Sequence, residues 1–241
     1  MTYNIGAKGQ DRLIPILELI TKISPDILVL NELSWLNAKS LELKIISQKI
    51  NLPFYFFANS AKSNNHLSLF SRFRINDVTL VKGLKNSGVI VNVKTKSRDI
   101  SIAGVHLASN TEDVRLAEIN KIVFHQKNTK HKIILGDLNS ISKENQVAKT
   151  NPLNLPEEPV RHEVTSYLRK AGYIDAALKT GKQFIPTVPL TKDHNITYYN
   201  LRLDYIFLSK ELSKNLIDYR VIRDKTVFSI SDHLPIITNI R

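Results

Sequence analysis

The sequence predicts an α/β protein in which helices and strands share one domain. Three observations support this prediction. The chain begins with strand, helix and strand; its middle third is rich in strands; and polar residues repeatedly occur where an apolar strand begins or ends. Neither a linker-like composition nor an internal repeat interrupts the pattern, so we expect a single domain over residues 1–241.

The N-terminal third contains the strand-helix-strand pattern. A short strand is predicted at residues 2–5, and a helix begins near Asp11. Apolar residues at helical spacing follow at Leu13, Ile16, Leu17 and Ile20. Ser24 and Pro25 end this helix, and the continuous apolar run 27–30 predicts a strand that is buried on both faces. Further along the chain, a helix is predicted at 38–50 and strands at 54–58 and 66–72.

Strands dominate the rest of the chain. Residues 88–95 and 99–106 flank the polar segment 96–98, a pattern typical of a hairpin with a short loop. The other predicted elements are helices at 114–125 and 160–171 and strands at 132–135, 203–208, 219–222 and 235–240.

The composition excludes several classes of site. The chain has no cysteine, so disulfides, thiolate metal sites and cysteine nucleophiles are excluded. The apolar runs are far shorter than the ~20 residues of a transmembrane helix, and none is predicted. The net charge is +12, from 34 basic and 22 acidic residues. This excess favours a polyanionic partner, either nucleic acid or an anionic lipid surface, although a general bias toward Lys and Asn would give the same counts.

Side chains suited to metal binding or to acid and base chemistry collect at the strand ends. They are Asn4, Glu32, His106, Asp137, Asn139, Asp204, Asp232 and His233. Each one alone is compatible with a turn or a cap, but strands deliver their end residues to a common rim, so we expect these side chains to converge. Several carboxylates without a thiol suit Mg²⁺ or Mn²⁺, and histidines add proton transfer near neutral pH. The set predicts phosphoester hydrolysis rather than acyl transfer, because the sequence lacks a Gly-x-Ser-x-Gly elbow.

The order of these motifs resembles the endonuclease/exonuclease/phosphatase family of metal-dependent phosphoesterases, to which DNase I, the AP endonucleases and the sphingomyelinases belong. The matching segments are TYNI at 2–5, PDILVLNE at 25–32, LFSRF at 69–73, VHL at 105–107, GDLN at 136–139, RLDYI at 202–206 and SDHLP at 231–235. The resemblance implies a four-layer α/β/β/α sandwich. Two mixed β-sheets pack face to face in this fold, helices lie outside them, and the active site lies at one rim of the sheets.

The resemblance also implies a metal site. Glu32 would be the main metal ligand, with Asn4 near the metal or phosphate, and Asp232 would approach a metal. The implied ion is Mg²⁺ or Mn²⁺. Asn31 replaces the glutamine that most members carry before the glutamate, and we expect this change to be tolerated because the metal contact falls on Glu32.

The remaining motif residues acquire catalytic roles by the same resemblance. Asp137 would orient or deprotonate the attacking water, and Asn139 would donate to the phosphoryl oxygens. His233 would contact the scissile phosphate while Asp204 fixes its tautomer. His106 matches the position of a second active-site histidine, which would serve as an acid or as a phosphate contact.

We therefore expect a monomeric Mg²⁺-dependent phosphodiesterase or phosphatase that acts on nucleic acid. The alternatives are a phosphoesterase for phosphoinositide or sphingomyelin-type lipids and a non-catalytic binding module on the same fold. A cytoplasmic location is expected, with a removed leader as the alternative because the first strand is unusually short. If Lys62, Arg72, Lys143, Lys149 and Arg202 surround the predicted site, the positive charge serves a polyanionic substrate.

Overall fold

A computed structural model describes residues 1–6, 9–145, 161–188, 201–224 and 226–241. The strands in these residues are β1 (Thr2–Asn4), β2 (Ile27–Asn31), β3 (Phe54–Ala58), β4 (Leu67–Ser71), β5 (Ile75–Leu80), β6 (Ser87–Lys94), β7 (Asp99–His106), β8 (Lys132–Asp137), β9 (Tyr173–Asp175), β10 (Asp204–Ser209), β11 (Leu216–Val221) and β12 (Ile236–Ile240). The α-helices are α1 (Leu13–Ile23), α2 (Leu41–Lys49), α3 (Glu112–His125), α4 (Glu163–Lys170), α5 (Ala176–Lys179) and α6 (Lys210–Ser213). None of the helices in the described ranges is long and apolar enough to cross a membrane.

The strands form two mixed six-stranded sheets. The first sheet has the order β11-β12-β1-β2-β4-β3, and the second has the order β5-β6-β7-β8-β10-β9. Each contains one parallel pair at its centre, β1 with β2 and β7 with β8, among antiparallel neighbours.

Apolar residues alternate along the strands so that both faces of each sheet are covered. In β2, Val29 points into the core between the two sheets, where it shares a cluster with Ile102 and Leu135 of the second sheet. Its neighbours Leu28 and Leu30 face the opposite side, where they pack with residues of α1 and α2. A third cluster joins the outer face of the second sheet to α3 and α4. The predicted four-layer sandwich is confirmed.

Several elements differ from the sequence prediction. Strand β5 was missed because it is an exposed edge strand, whose sequence INDVTL lacks a buried apolar face. The short elements β9, α5 and α6 were also missed. Helix α2 begins at Leu41 rather than at residue 38, because the side chains of Asn37 and Ser40 accept backbone hydrogen bonds in a turn before it. The helix predicted at 160–171 corresponds to α4, and its predicted first residue lies outside the described residues.

Candidate active site

Strand register brings the predicted residues of the second sheet into one row. His106 ends β7 and faces Asp137, the last residue of β8, in the parallel pair. Asp137 in turn faces Asp204, the first residue of β10, in the antiparallel pair. Because directly opposed residues on adjacent strands are neighbours, the three side chains form a continuous edge at one rim.

The first sheet brings Asn4 and Glu32 to the same rim. Asn4 ends β1 opposite Asn31, and Glu32 follows directly. The Asn4 amide nitrogen donates to Glu32 Oε1 at 2.9 Å and to Asp137 Oδ2 at 3.0 Å, while its oxygen accepts from the Gly6 amide. One neutral amide therefore holds two carboxylates that belong to different sheets. Asn31 adds a second link between the sheets, from its Nδ2 to the Val105 carbonyl.

Asp137 lies at the centre of the rim and is almost completely buried. Its Oδ2 atom is 3.6 Å from His106 Nε2 and 3.9 Å from His233 Nε2. Its Oδ1 atom accepts a hydrogen bond from the Asn139 backbone amide at 2.8 Å. The carboxylate is thus fixed by the backbone on one side and faces two imidazoles and an amide on the other.

His233 is held by a buried carboxylate partner. Its Nδ1 atom lies 2.8 Å from Asp204 Oδ2, so its Nε2 atom is directed toward Asp137. Burial disfavours the charged imidazole, but the negative charges of Asp204, Asp137 and Asp232 outweigh it and raise the pKa of His233 to about 10. Burial also raises the pKa of Asp204 above its ordinary value, against the opposing effect of His233. The surrounding carboxylates therefore favour the protonated form of His233, and its Nε2 atom faces the rim.

Two site residues have a strained backbone. Glu32 has φ 68° and Asn139 has φ 47°, in the left-handed region that non-glycine residues rarely adopt. In this conformation Asn139 donates from its side chain to the Leu107 carbonyl at 3.0 Å. Such strain persists where the surrounding structure enforces it, and it is common at functional sites.

The other predicted residues, His106 and Asp232, lie at the same rim. His106 is buried, and its Nδ1 atom has no hydrogen-bond partner within the described part of the chain. Asp232 is half-buried beside Gly6, and its Oδ1 atom accepts from the Ser231 hydroxyl at 3.3 Å. The Ser231 hydroxyl shares this one proton with the Asn4 carbonyl oxygen, which is closer at 2.8 Å and ties the segment before β12 to the end of β1.

A model of the endonuclease/exonuclease/phosphatase family matches residues 1–233. The chain belongs to this family.

Among curated proteins, none matches the sequence. Solved structures with the same fold include the 3′ phosphatase NExo from Neisseria bound to a product DNA hairpin, at 19% identity and TM-score 0.74, with 100% of this chain and 98% of that chain covered. An AP endonuclease from Archaeoglobus fulgidus has 18% identity and TM-score 0.76, with 99% and 97% covered.

A humanized D. rerio TDP2 also has the fold, at 16% identity and TM-score 0.68, with 98% of this chain and 95% of that chain covered. The family match and these similarities show that the protein has the phosphoesterase fold of the family, and that its structural neighbours include nucleases and phosphatases.

The carboxylates of this family member are close enough together to hold a cation. Ligand atoms of Asp137, Asp204 and His233 all lie within 4.8 Å of one another, and this group of three could hold a metal ion. Glu32 and Asp137 also share the Asn4 amide, which gives a second grouping of oxygen donors that spans the sheets.

The expected ring of basic residues does not include Arg202 or Arg72. Arg202 is 1% exposed and pairs with Asp175 at 2.7 Å, so it belongs to the core. Arg72 pairs with Asp26, the residue before β2, which lies six residues or about 20 Å along the extended chain from Glu32. Lys143 is exposed, and Lys149 lies outside the described residues.

Some residues that shape the site of this family member were missed by the sequence analysis. Thr187 Oγ1 accepts from the amides of Leu203 and Asp204 and so fixes the start of β10. Asn86 donates to the Leu107 carbonyl, the same carbonyl that binds Asn139. Neither residue belongs to a motif, and only their buried positions next to the rim indicate a role.

Proposed function

We propose that the chain is a Mg²⁺- or Mn²⁺-dependent phosphodiesterase that acts on nucleic acid. One observation carries the proposal: the Asn4 amide holds the carboxylates of Glu32 and Asp137 together across the two sheets, beside His106 and His233. Hard oxygen donors and protonatable imidazoles in one buried cluster are the groups that phosphoester hydrolysis requires. Family membership supports this reaction class.

The donor set around Glu32 fits a hard divalent cation. Glu32 is half-buried, and its Oε1 atom is held by a neutral amide rather than by a positive group. We therefore assign the cation to Glu32, with Asn4 and Asp232 adjoining it. A metal bound there would polarise a phosphoryl oxygen and stabilise the negative charge on the leaving group.

The group formed by Asp137, Asp204 and His233 fits a cation less well. The His233 Nδ1 and Asp204 Oδ2 atoms already contact each other at 2.8 Å, so each residue keeps only its other ligand atom for a cation. Both Asp137 oxygens likewise accept hydrogen bonds, Oδ1 from the Asn139 amide and Oδ2 from the Asn4 side chain. We propose instead that these three residues perform proton transfer and bind the phosphate.

The protein side chains then have distinct roles in the reaction. Asp137 would take the proton of the attacking water, because its Oδ2 atom faces the centre of the rim. Asp204 would hold His233 protonated with Nε2 toward the phosphoryl oxygens, where negative charge develops. Asn139 would donate to the same oxygens, and His106 would supply a second acid or phosphate contact on the β7 side.

The test compares wild type with two isosteric variants, Asp137→Asn and Glu32→Gln, on a nucleic acid substrate and on bis-p-nitrophenyl phosphate. We expect EDTA to abolish turnover and Mg²⁺ or Mn²⁺ to restore it, and Asp137→Asn to reduce kcat by about 10²–10⁴-fold with unchanged circular dichroism. Calorimetry should find weaker Mn²⁺ binding by Glu32→Gln. Full turnover by Asp137→Asn would refute the assignment.

A substrate panel separates the nucleic acid enzyme from the alternatives. Single-stranded DNA, RNA, plasmid DNA and sphingomyelin or phosphoinositide vesicles should be compared with the same enzyme and metal. Turnover confined to the vesicles would replace the nucleic acid proposal with the lipid phosphoesterase. Absence of both metal binding and turnover would indicate a binding module.

A further inference from the structure

A basic depression adjoins the rim on the side of His106. Lys85 lies two residues before Ser87, which faces His106 in the β6–β7 register. Lys62, Lys85 and Lys121 line a depression of about 330 Å³ between the loops before β4 and β6 and the outer face of α3. The Lys121 ammonium is held in this position by the Gly83 carbonyl, at 3.0 Å.

The depression continues along α3 and ends at an exposed aromatic ring. A second hollow of about 400 Å³ shares Ala117 and Lys121 with the first and reaches Phe124. The Phe124 side chain is 60% exposed, and the Lys127 ammonium lies 4.2 Å from its ring centroid. Since α3 rises about 1.5 Å per residue, its first residue is about 18 Å from Phe124. We call the two hollows together the α3 groove.

The acidic residues beside the α3 groove are engaged by other groups. Glu118 is buried in its floor, where its two oxygens accept from the amides of Lys85 at 2.6 Å and Ala108 at 2.8 Å. Glu112 accepts from Ser140 and from the Val164 amide and pairs with Arg115, and Asp113 pairs with Arg161 at 2.7 Å. The ammonium groups are therefore the charges that line the open surface of the groove.

We propose that the α3 groove binds an unpaired stretch of nucleic acid adjoining the scissile bond, with Lys62, Lys85 and Lys121 on its phosphates and Phe124 stacked on a base. The inference rests on the proposed phosphodiesterase function. It adds that the preferred substrate of the enzyme is single-stranded nucleic acid. A basic surface depression that ends at an exposed ring suits a strand whose bases are free to stack. A duplex hides the faces of its bases, and a lipid headgroup offers no base to stack on the exposed Phe124 ring.

The test measures binding in EDTA, where hydrolysis is absent, by anisotropy of a fluorescent oligothymidine. Each of Lys62→Ala, Lys85→Ala and Lys121→Ala should lower the slope of log Kd against log salt by about 0.7, the value for one lost phosphate contact on a single strand. Phe124→Ala should weaken binding by about five-fold or more and leave the slope unchanged, because stacking releases no counterions. All four side chains are exposed, so the variants should fold.

Matched controls lie away from the rim. Lys44→Ala on α2 removes an exposed lysine from the opposite outer layer, and Phe54→Ala removes a partly exposed ring at the start of β3. Both should bind the oligothymidine as the wild type does. Controls that weaken binding as much as the groove variants would refute a localised site.

Three results would overturn the groove assignment. The first is an unchanged salt slope in the lysine variants, and the second is equal affinity of the wild type for a duplex of the same length. The third is that the groove variants lose binding to phosphatidylserine vesicles but keep binding to the oligonucleotide. Its failure is distinguishable from failure of the proposed function. Wild-type turnover of bis-p-nitrophenyl phosphate combined with unchanged oligonucleotide binding by the groove variants refutes the groove alone. If the wild type shows no turnover with any divalent ion, the proposed phosphodiesterase function is refuted, whatever the oligonucleotide binding measured in EDTA shows.

Discussion

Gly136 occupies a position in β8 where a side chain has no room. Its φ is 144°, and a Cβ atom built there would lie 1.9 Å from the Val105 carbonyl oxygen of the neighbouring strand. The parallel register pairs Gly136 with Val105 and so places the next residue, Asp137, opposite His106. A single glycine therefore allows the close approach of strands on which the geometry around Asp137 depends.

We predict that Gly136→Ala destabilises the fold and reduces activity, because the two strands must separate to relieve the clash. The free energy of unfolding in urea should fall by at least about 1–3 kcal/mol. Gly172→Ala is the matched control, since Gly172 also has positive φ, 85°, but has open space at its Cβ position. Equal losses of unfolding free energy in the two variants would mean that the positive φ, rather than the clash with Val105, makes Gly136→Ala destabilising.

We predict that His233 makes stability fall as pH rises above neutrality in EDTA-treated protein. The pKa of His233 is raised from 6.5 to about 10 in the folded state, so protonation stabilises the fold. This contribution is fully present below about pH 6.5 and is lost as the pH rises through about 10. The Tm of the wild type should therefore exceed that of His233→Gln most at about pH 6, and this difference should shrink as the pH rises to about 10. A constant Tm difference across that range would contradict the prediction.

Pairs of elements are joined by buried polar contacts as well as by their apolar faces. The Arg202 guanidinium binds both Asp175 oxygens, at 3.0 and 2.7 Å, and lies over the Tyr205 ring. Asp175 ends β9 and also accepts from the Ala177 amide at the start of α5. This pair therefore connects β9, α5 and the entry to β10, the strand that begins with Asp204.

We predict that Arg202→Met costs about 3–5 kcal/mol of unfolding free energy, because it leaves the Asp175 carboxylate buried without its partner. Adding Asp175→Asn removes that charge and should recover part of the loss. Lys182→Met is a control in a half-exposed pair with Asp218 and should cost about 1 kcal/mol or less. If the double variant is less stable than Arg202→Met, the uncompensated charge of Asp175 is not the cause of the stability lost in Arg202→Met.

The two sheets of the molecule share a continuous apolar core. Val29 and Leu69 of the first sheet lie in one cluster with Val91 and Ile206 of the second. The rim that carries the candidate active site closes one end of this core through the contacts of Asn4 and Asn31 with the second sheet. Neither sheet is able to unfold without exposing the apolar face of the other. That the molecule is one domain and a monomer remains our prediction.

We predict a single cooperative unfolding transition. Trp35, the one tryptophan of the sequence, packs on the outer core of the first sheet, so its fluorescence reports on that side of the sandwich. Far-UV circular dichroism reports on both sheets. The two signals should share one urea midpoint, because the common core couples the sheets. An earlier transition in Trp35 fluorescence would show that the sheets unfold as separate units.

The sequence by itself determined the positions of most helices and strands and of the polar residues at the strand ends. Buried strands such as β2 and amphipathic helices such as α1 have local apolar periodicities, and a buried element must have an apolar surface wherever it packs. Edge strand β5 has no such face and was missed. The ordered motifs also indicated the family and its four layers, which the fold and the family match confirm.

Only the tertiary structure decided how those residues meet. The contact between Asn4 and Asp137 joins residues 133 positions apart, and it depends on the stagger of two sheets that no local pattern encodes. The same limit applies to charge. Arg202 and Lys85 have the same formal charge, yet Arg202 is buried against a carboxylate while Lys85 lines an open groove. Chain order specifies which residues are charged, whereas packing decides whether water, a partner side chain or a substrate solvates the charge.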